Sequence, residues 1–198
     1  MKIRTLMIPD PITIKEDATI DEAITVMKKN RIRHLPVVDN KNNLKGFLTL
    51  ADLKQGLIPS MLSDITLSDL MIKNPITVSP EDDVEHAARL IYENKIGGIP
   101  VVAGRRLVGI ITESDILRAF IEILGMLYST HSIELEIGND NHSFLKALSI
   151  IKENGGEIIN ISLKERNELR RVYYFRISTL NMDNIRSELS QQGFNILD

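Results

Sequence analysis

No cysteine occurs among the 198 residues, which removes disulfides, thiolate nucleophiles and cysteine-ligated metal sites together. Nor does any uncharged stretch approach the ~18 apolar residues of a membrane-spanning helix. The first ten residues carry basic side chains, but prolines and Asp10 interrupt them at once, so they do not read as a secretion signal. A basic excess that would attract nucleic acid is also missing, since the net charge is −3 and the pI about 5.9. At 43% hydrophobic and 26% charged, the composition is that of a globular chain. A cytoplasmic protein without membrane segments is the expectation, of a length that allows one large domain or two small ones.

Against these absences stands one stretch written twice. Gly109-Ile110-Ile111-Thr112-Glu113-Ser114-Asp115 reads as a strand end feeding a helix, and Gly46-Phe47-Leu48-Thr49-Leu50-Ala51-Asp52 is its earlier copy. A hydroxyl and a carboxylate three residues apart sit in the first turn of a helix, where free N–H groups and the helix dipole favour phosphate. The ionised carboxylate could accept both hydroxyl protons of a ribose. The same spacing also makes a capping box that merely starts the helix. Both readings stand at this point.

The duplication extends well beyond this motif. Leu6-Met7-Ile8 recurs as Leu70-Met71-Ile72, Pro11-Ile12-Thr13 as Pro75-Ile76-Thr77, and Pro36-Val37-Val38 as Pro100-Val101-Val102. After one residue is lost from a hairpin turn, Leu44, Gly46, Thr49 and Asp52 match Leu107, Gly109, Thr112 and Asp115. Within each copy a short strand (Ile12–Ile14, Ile76–Val78) precedes a helix. The first helix opens on the capping box Thr19-Ile20-Asp21-Glu22 and carries Ile20, Ala23, Ile24 and Met27 at helical spacing. Its counterpart carries Val84, Ala87, Ala88 and Ile91. Two strands around a polar turn and a final helix complete each unit, the second of these helices with a stripe of Ile116, Leu117, Phe120, Ile121 and Leu124. The units are strand, helix, strand, strand, helix. Gly56 to Asp69 reads as a tethered connector, Gly125 as a helix C-cap, and Met126 to His131 as a hinge.

From Ser132 the order becomes βαββαβ. Ile133 to Ile137 alternates as a strand; Phe144, Leu145, Leu148 and Ile151 mark a helix closed by Gly155-Gly156. Glu157 to Leu163 and Val172 to Ile177 form a hairpin, Met182, Ile185 and Leu189 a second helix ended by Gly193, and Phe194 to Leu197 a last strand. This is the ferredoxin-like split arrangement. The fold class is therefore α+β, with repeats over 1–60 and 61–125 and a third domain over 132–198.

The two copies of the motif, with Leu-Pro-Val-Val in one and Ile-Pro-Val-Val in the other, resemble the CBS-domain family, and a tandem pair of them resembles a Bateman module. The tail is similar in topology to ACT domains. The order CBS, CBS, ACT resembles the acetoin-utilisation proteins of bacteria. This resemblance implies a regulatory protein without catalysis of its own. Adenine nucleotide (AMP, ADP or ATP) would act as regulatory ligand rather than cofactor, and S-adenosylmethionine is the alternative. It further implies that Asp115 and Asp52 hold ribose and that Thr112 and Thr49, with Ser114, meet ribose or phosphate. The adenine slot comes from the partner repeat. Asp115 is then expected to face Ile12, Thr13, Arg33, His34, Leu35 and Pro36, and Asp52 to face Ile76, Thr77, Gly97, Gly98, Ile99 and Pro100. In the tail, Gly138 to His142 lacks the Asp-x-x-Gly effector pattern of the ACT family.

Other constellations read more simply. None of His34, His86, His131 and His142 has metal-ligand spacing to another, and no metal site is expected. Arg33-His34 reads equally as phosphate-facing or solvated. Glu81-Asp82-Asp83 precedes a helix start, where negative charge is stabilising. Lys164, Arg166, Arg170 and Arg171 adjoin Tyr173-Tyr174-Phe175, but consecutive strand positions send at least one ring to the core, so nucleic acid is not expected as partner. An enzyme reading has no nucleophile elbow, Walker loop or metal triad to support it. An adaptor with empty clefts is the remaining competitor. Apolar helix faces at Ile121 and Leu124, with the tail's sheet edges, point to a homodimer that acts on a separate regulated protein.

Overall fold

A computed structural model describes residues 1–55, 66–125, 130–138, 141–166 and 170–197. Most of the connector (56–65), most of the hinge (126–129), part of the polar turn (139–140) and part of the hairpin tip (167–169) lie outside the described residues. Two units are present, Met1–Leu117 and Arg118–Asp198. The first contains a 3-10 turn at Ile3–Thr5, then β1 (Ile8–Pro9), β2 (Ile14–Lys15), α1 (Ile20–Asn30), β3 (His34–Val38), β4 (Leu44–Thr49), α2 (Leu50–Gln55) and α3 (Leu67–Leu70). It continues with β5 (Ile72–Lys73), α4 (Val84–Asn94), β6 (Gly98–Ala103), β7 (Arg106–Thr112) and the start of α5 (Glu113–Ile123). The second holds β8 (His131–Gly138), α6 (Asn141–Glu153), β9 (Glu157–Arg166), β10 (Arg170–Ser178), α7 (Met182–Gln191) and β11 (Asn195–Ile196).

Helix α1 forms where its capping box begins. Thr19 Oγ1 accepts from the Glu22 N–H at 3.1 Å, and the Thr19 N–H donates to Glu22 Oε2 at 2.7 Å. Its buried side chains are Ala23, Ile24 and Met27, and those of α4 are Val84, Ala87 and Ile91, as helical spacing requires. Arg31 and Lys95 end the two helices in the left-handed region, with φ of 54° at each. In β3 and β4 the alternation buries Leu35, Val37 and Leu48 against α1.

The strands expected at Ile12–Ile14 and Ile76–Val78 are shorter in fact. Only β2 forms in the first copy, parallel to β3, and in the second only an isolated bridge from Val78 to Val101. Asp10 and Asn74 turn the chain with φ of 44° and 52°, and Ile12 and Ile76 stand 41% and 37% exposed rather than on a sheet face.

The segment that precedes each repeat joins the sheet of the other one. β1 runs antiparallel to β7, with Ile8 opposite Ile110, and β5 runs antiparallel to β4, with Phe47 opposite Ile72. Leu67, 1% exposed, completes the core of the first repeat. Ile3, at the equivalent position, is fully buried, and its N–H donates to the Asp82 carbonyl of the second repeat at 3.0 Å. The doubled glycines explain themselves in this exchange. A Cβ on Gly109 would stand 2.6 Å from the Met7 sulfur, and one on Gly46 would collide with the Met71 sulfur. The acidic run before α4 is taken up by the same segment, for Lys2 pairs with Asp83 at 3.0 Å and Arg4 with Glu81.

In the second unit the sheet order is β11-β8-β10-β9 with antiparallel neighbours, the split β-α-β arrangement. Ile133, Leu135, Ile137, Phe175 and Ile177 pack against Ala147, Ile150 and Ile151 of α6 and Met182, Ile185 and Leu189 of α7. Two of the three consecutive aromatics turn inward, since Tyr173 and Phe175 contact Phe144 with ring centroids 4.8 and 6.3 Å away. Tyr174 lies on the opposite face under the Arg176 guanidinium, 5.7 Å from its centroid. These rings are therefore engaged internally, and Lys164 is paired with Glu134 at 2.7 Å. Gly125, Gly155 and Gly193 end helices at φ of 68°, 75° and 86°.

Because Ile3 is fully buried, Ile3→Ala is expected to destabilise the protein by about 2–5 kcal/mol, the range for emptying a core position. Urea denaturation measures it. A loss below about 0.5 kcal/mol would show that the preceding segment is only loosely seated.

Candidate functional site

Both copies of Thr-x-x-Asp form the same local structure. The Thr112 N–H and Oγ1–H donate to Asp115 Oδ2 at 3.0 and 2.6 Å, and those of Thr49 donate to Asp52 Oδ2 at 2.8 and 2.6 Å. A third Thr-x-x-Asp, Thr66 to Asp69, makes the same two bonds at 2.9 and 2.6 Å on an exposed turn. The bonds alone are thus a helix start. What separates the first two is their setting: Thr112 and Thr49 each open onto a cavity. Among the described residues Oδ1 of Asp115 and of Asp52 makes no bond, which leaves it able to accept from a ligand hydroxyl. Asp115 is also the one charged residue buried among those described, at 8% exposure.

The cavity at Thr112, about 300 Å³, is walled by Ile8, Pro11, Ile12, Ile32 and Ile110, with Asp10, Arg31, Arg33 and His34 at its polar side. The cavity at Thr49, about 360 Å³, is walled by Ile72, Pro75, Ile76, Ile96 and Phe47, with Lys95, Gly97, Gly98 and His34. Position by position these are equivalents from the two repeats, and both volumes lie at the lower end of the ~300–1,000 Å³ usual for ligand pockets. Each cavity combines an aliphatic sandwich, a hydroxyl held by a carboxylate, and cationic side chains. That set suits a flat heterocycle bearing a sugar and an anionic group.

The expected residues do not all reach the cavities. Ile12, Arg33 and His34 share the first cavity with Thr112, and Ile76, Gly97 and Gly98 share the second with Thr49. Leu35 and Ile99 are fully buried in the cores, and Pro36 and Pro100 are buried in the ladders opposite Phe47 and Ile110. Alternation decides this for Leu35, because the strand that sends His34 to the cleft must send Leu35 to the core, whereas Pro36 and Pro100 share the face of positions 34 and 98 and are covered there. Thr77 turns away from Ile76 into a separate polar cavity of about 470 Å³ with Asp39, Lys45, Asn74 and Arg105. Thr13 is half-buried and Ser114 exposed, and neither lines the cavities described; Asp115 and Asp52 do not line them either, and meet them only through the Thr112 and Thr49 hydroxyls they hold. Sequence reasoning missed Arg31 and Lys95 and the pairs Ile8/Ile72, Ile32/Ile96 and Phe47/Ile110. The repeat offset was a signal for all of them, since each pair is apolar or basic in both copies.

His34 departs from expectation in lining both cavities rather than one. Its ring stacks on Phe47 at 5.8 Å with 11° between planes. A Cβ on Gly97 would lie 2.9 Å from His34 Nε2, so the ring occupies the space that two glycines leave. Burial pushes the His34 pKa below its ordinary 6.5, Arg33 pushes it the same way, and Glu113 opposes them.

With cavities and motifs in place, the first unit is a pair of equivalent repeats, each contributing a Thr-x-x-Asp turn at the wall of a cavity. Residues 3–58 and 67–122 each match the CBS domain, and the chain belongs to the CBS-domain family. It is 34% identical over 134 residues to a CBS domain-containing protein of Dictyostelium discoideum, covering 62% of this chain and 92% of that one. It is 37% identical over 117 residues to homoserine O-acetyltransferase of Methanohalobium evestigatum, but spans only 23% of that enzyme. The CBS domain pair of protein MJ0100, solved with 5'-methylthioadenosine and S-adenosyl-L-methionine, is similar at 34% identity and a TM-score of 0.56 over 61% of this chain and 95% of that one. CBSX2, solved with AMP, gives 30% identity and a TM-score of 0.55 over 62% and 97%. A Vibrio cholerae structure described as an acetoin utilization protein gives 32% and 0.58 over 64% and 94%. Among the described residues no helix is long and apolar enough to cross a membrane, and no group of three or more His, Asp or Glu could hold a metal ion.

The lowered pKa of His34 has a signed consequence. The unfolded chain takes up a proton there before the folded one does, so stability falls as pH drops from above 6.5 through the folded value. Urea titrations of wild type and His34→Gln between pH 8 and 5 are expected to converge in difference above pH 7 and to show wild type losing more on the acid side. A difference independent of pH would contradict this.

Proposed function

We propose that the two clefts bind adenine nucleotide of the AMP, ADP or ATP class and that the chain is a regulatory sensor, without catalysis of its own. The observation that carries this reading is the paired geometry: an aliphatic sandwich, a Thr–Asp hydroxyl acceptor and cations at equivalent places in both repeats. Structures similar to this chain were solved with AMP and with S-adenosylmethionine, which supports an adenosine-bearing ligand. Between the two chemistries, charge favours phosphate at Thr112. Arg31 and Arg33 both line that cleft and would repel a sulfonium while bonding a phosphate. The Thr49 cleft has Lys95 in place of that arginine pair and suits the sulfonium ligand better, which keeps S-adenosylmethionine as a second reading. Ligand would act by shifting the populations of two arrangements and so the contacts offered to a regulated protein. An adaptor with empty clefts is the competing account.

The 132–198 domain, ACT-like in strand order, is assigned to dimerisation rather than to binding a free amino acid. Edge strand β9 carries Ile161 and Leu163 at 37% and 49% exposure, and α5 leaves Leu117, Phe120 and Ile123 exposed. Ile121, expected on that exposed face, is half-buried instead.

Calorimetric titration with AMP, ATP and S-adenosylmethionine tests the reading, with light scattering of the same samples to give a mass twice 22.4 kDa. Phosphate contacts worth about 1.5–3 kcal/mol make the Thr112 cleft tighter for AMP by roughly ten- to a hundredfold. Asp115→Asn is expected to remove the tight phase and Asp52→Asn to keep it. No saturable binding of any of the three would leave the adaptor account, and a monomer mass would remove the dimer.

A further inference from the structure

Within the repeats, positions 34 and 98 are equivalents, yet one carries an imidazole and the other nothing. With the ring where it stands, a side chain at either facing glycine would crowd it. A Cβ on Gly98 would stand 3.3 Å from His34 Cγ, and one on Gly97 would stand 2.9 Å from Nε2. One ring therefore fills the space where the two repeats meet, and it forms part of the wall of both cavities. Phe47 of the Thr49 cleft supports it by stacking. Among the described residues neither ring nitrogen forms a hydrogen bond, so no polar anchor fixes the rotamer. The charged groups around it are Arg33 beside it and Glu113 at the start of α5. Asp10 and Arg31 stand further along one cavity, and Lys95 along the other.

We propose that His34 is a movable wall shared by the two clefts, through which ligand in one cleft weakens binding in the other. The proposal rests on the nucleotide reading above. A ligand seated against Gly97 and Gly98 presses the ring toward the Thr112 cleft. One seated beside Arg33 presses it back toward Phe47. Space gained on one side is lost on the other, so the coupling is negative and reciprocal. Glycine at position 98 means that no second ring can take over the same role from the opposite repeat.

The test uses the full chain and AMP. Ile12→Trp fills the Thr112 cleft and Ile76→Trp the Thr49 cleft, both at exposed positions whose enlargement leaves the cores intact. Calorimetry on each gives the affinity of the remaining cleft alone. In wild type the second binding step is expected to be weaker than the matching single-cleft value by at least about fivefold, and His34→Gly is expected to restore the single-cleft values. The imidazole Cε1–H resonance of His34 is expected to shift on adding AMP to either tryptophan variant. Two clefts that fill in wild type with their single-cleft affinities would overturn the shared wall while leaving the nucleotide reading intact. A resonance that responds in one variant only would do the same. No AMP binding in wild type would overturn both.

Discussion

The exchange of leading segments between the two repeats is the constraint on which the first unit depends. Neither repeat closes its own core: Leu67 plugs the first and Ile3 the second, each arriving from the other side of the pair. Burying one such side chain contributes about 1.5–3 kcal/mol, which matters in a protein whose total stability is of the order of 5–15 kcal/mol. Gly46 and Gly109 are the geometric condition for it, because β5 and β1 pass where a side chain on either would stand.

The clefts follow from that exchange. After β1 and β5 the chain must turn back to its own repeat, and it does so through Asp10 and Asn74 in the left-handed region followed by proline. The turn leaves Ile12 and Ile76 outside any sheet, facing the strand ends that carry Thr112 and Thr49. The hydroxyl and carboxylate there serve the helix start through Oδ2, and the same threonines line the cavities, so a cap and a cavity wall are compatible uses of the same residue. The third copy of the pattern at Thr66 shows what the cap is without a cavity. Symmetry is also broken where His34 faces Gly97 and Gly98, so that the two clefts share one wall residue.

Much of this was legible in the sequence because it is local. Helix α1 announces itself through Thr19, Glu22 and the spacing of Ala23, Ile24 and Met27. The resemblance to tandem CBS pairs, in which the slot comes from the partner repeat, brings Ile12, Arg33 and His34 to Thr112. What stayed hidden is non-local. A two-residue strand such as Ile8–Pro9 has no periodicity to say which sheet it joins. Alternation was applied too loosely at Leu35 and Thr77, which share a segment with cleft residues but point elsewhere. His34 could not be assigned to both cavities without knowing that Gly97 and Gly98 lie against it. In the tail, the order of elements was readable from helix-ending glycines. The inward turn of both Tyr173 and Phe175 needed the register against β8 and β9.

Native-state hydrogen exchange on Leu67→Ala tests the exchanged architecture most directly. Leu67 is contiguous with the second repeat but lies in the core of the first. The expected result is that amides of Leu35, Val37 and Leu48 lose protection at least as much as those of Ile99, Val101 and Ile111. If β3 and β4 keep wild-type protection while only β6 and β7 loosen, the repeats are self-contained and the account is wrong.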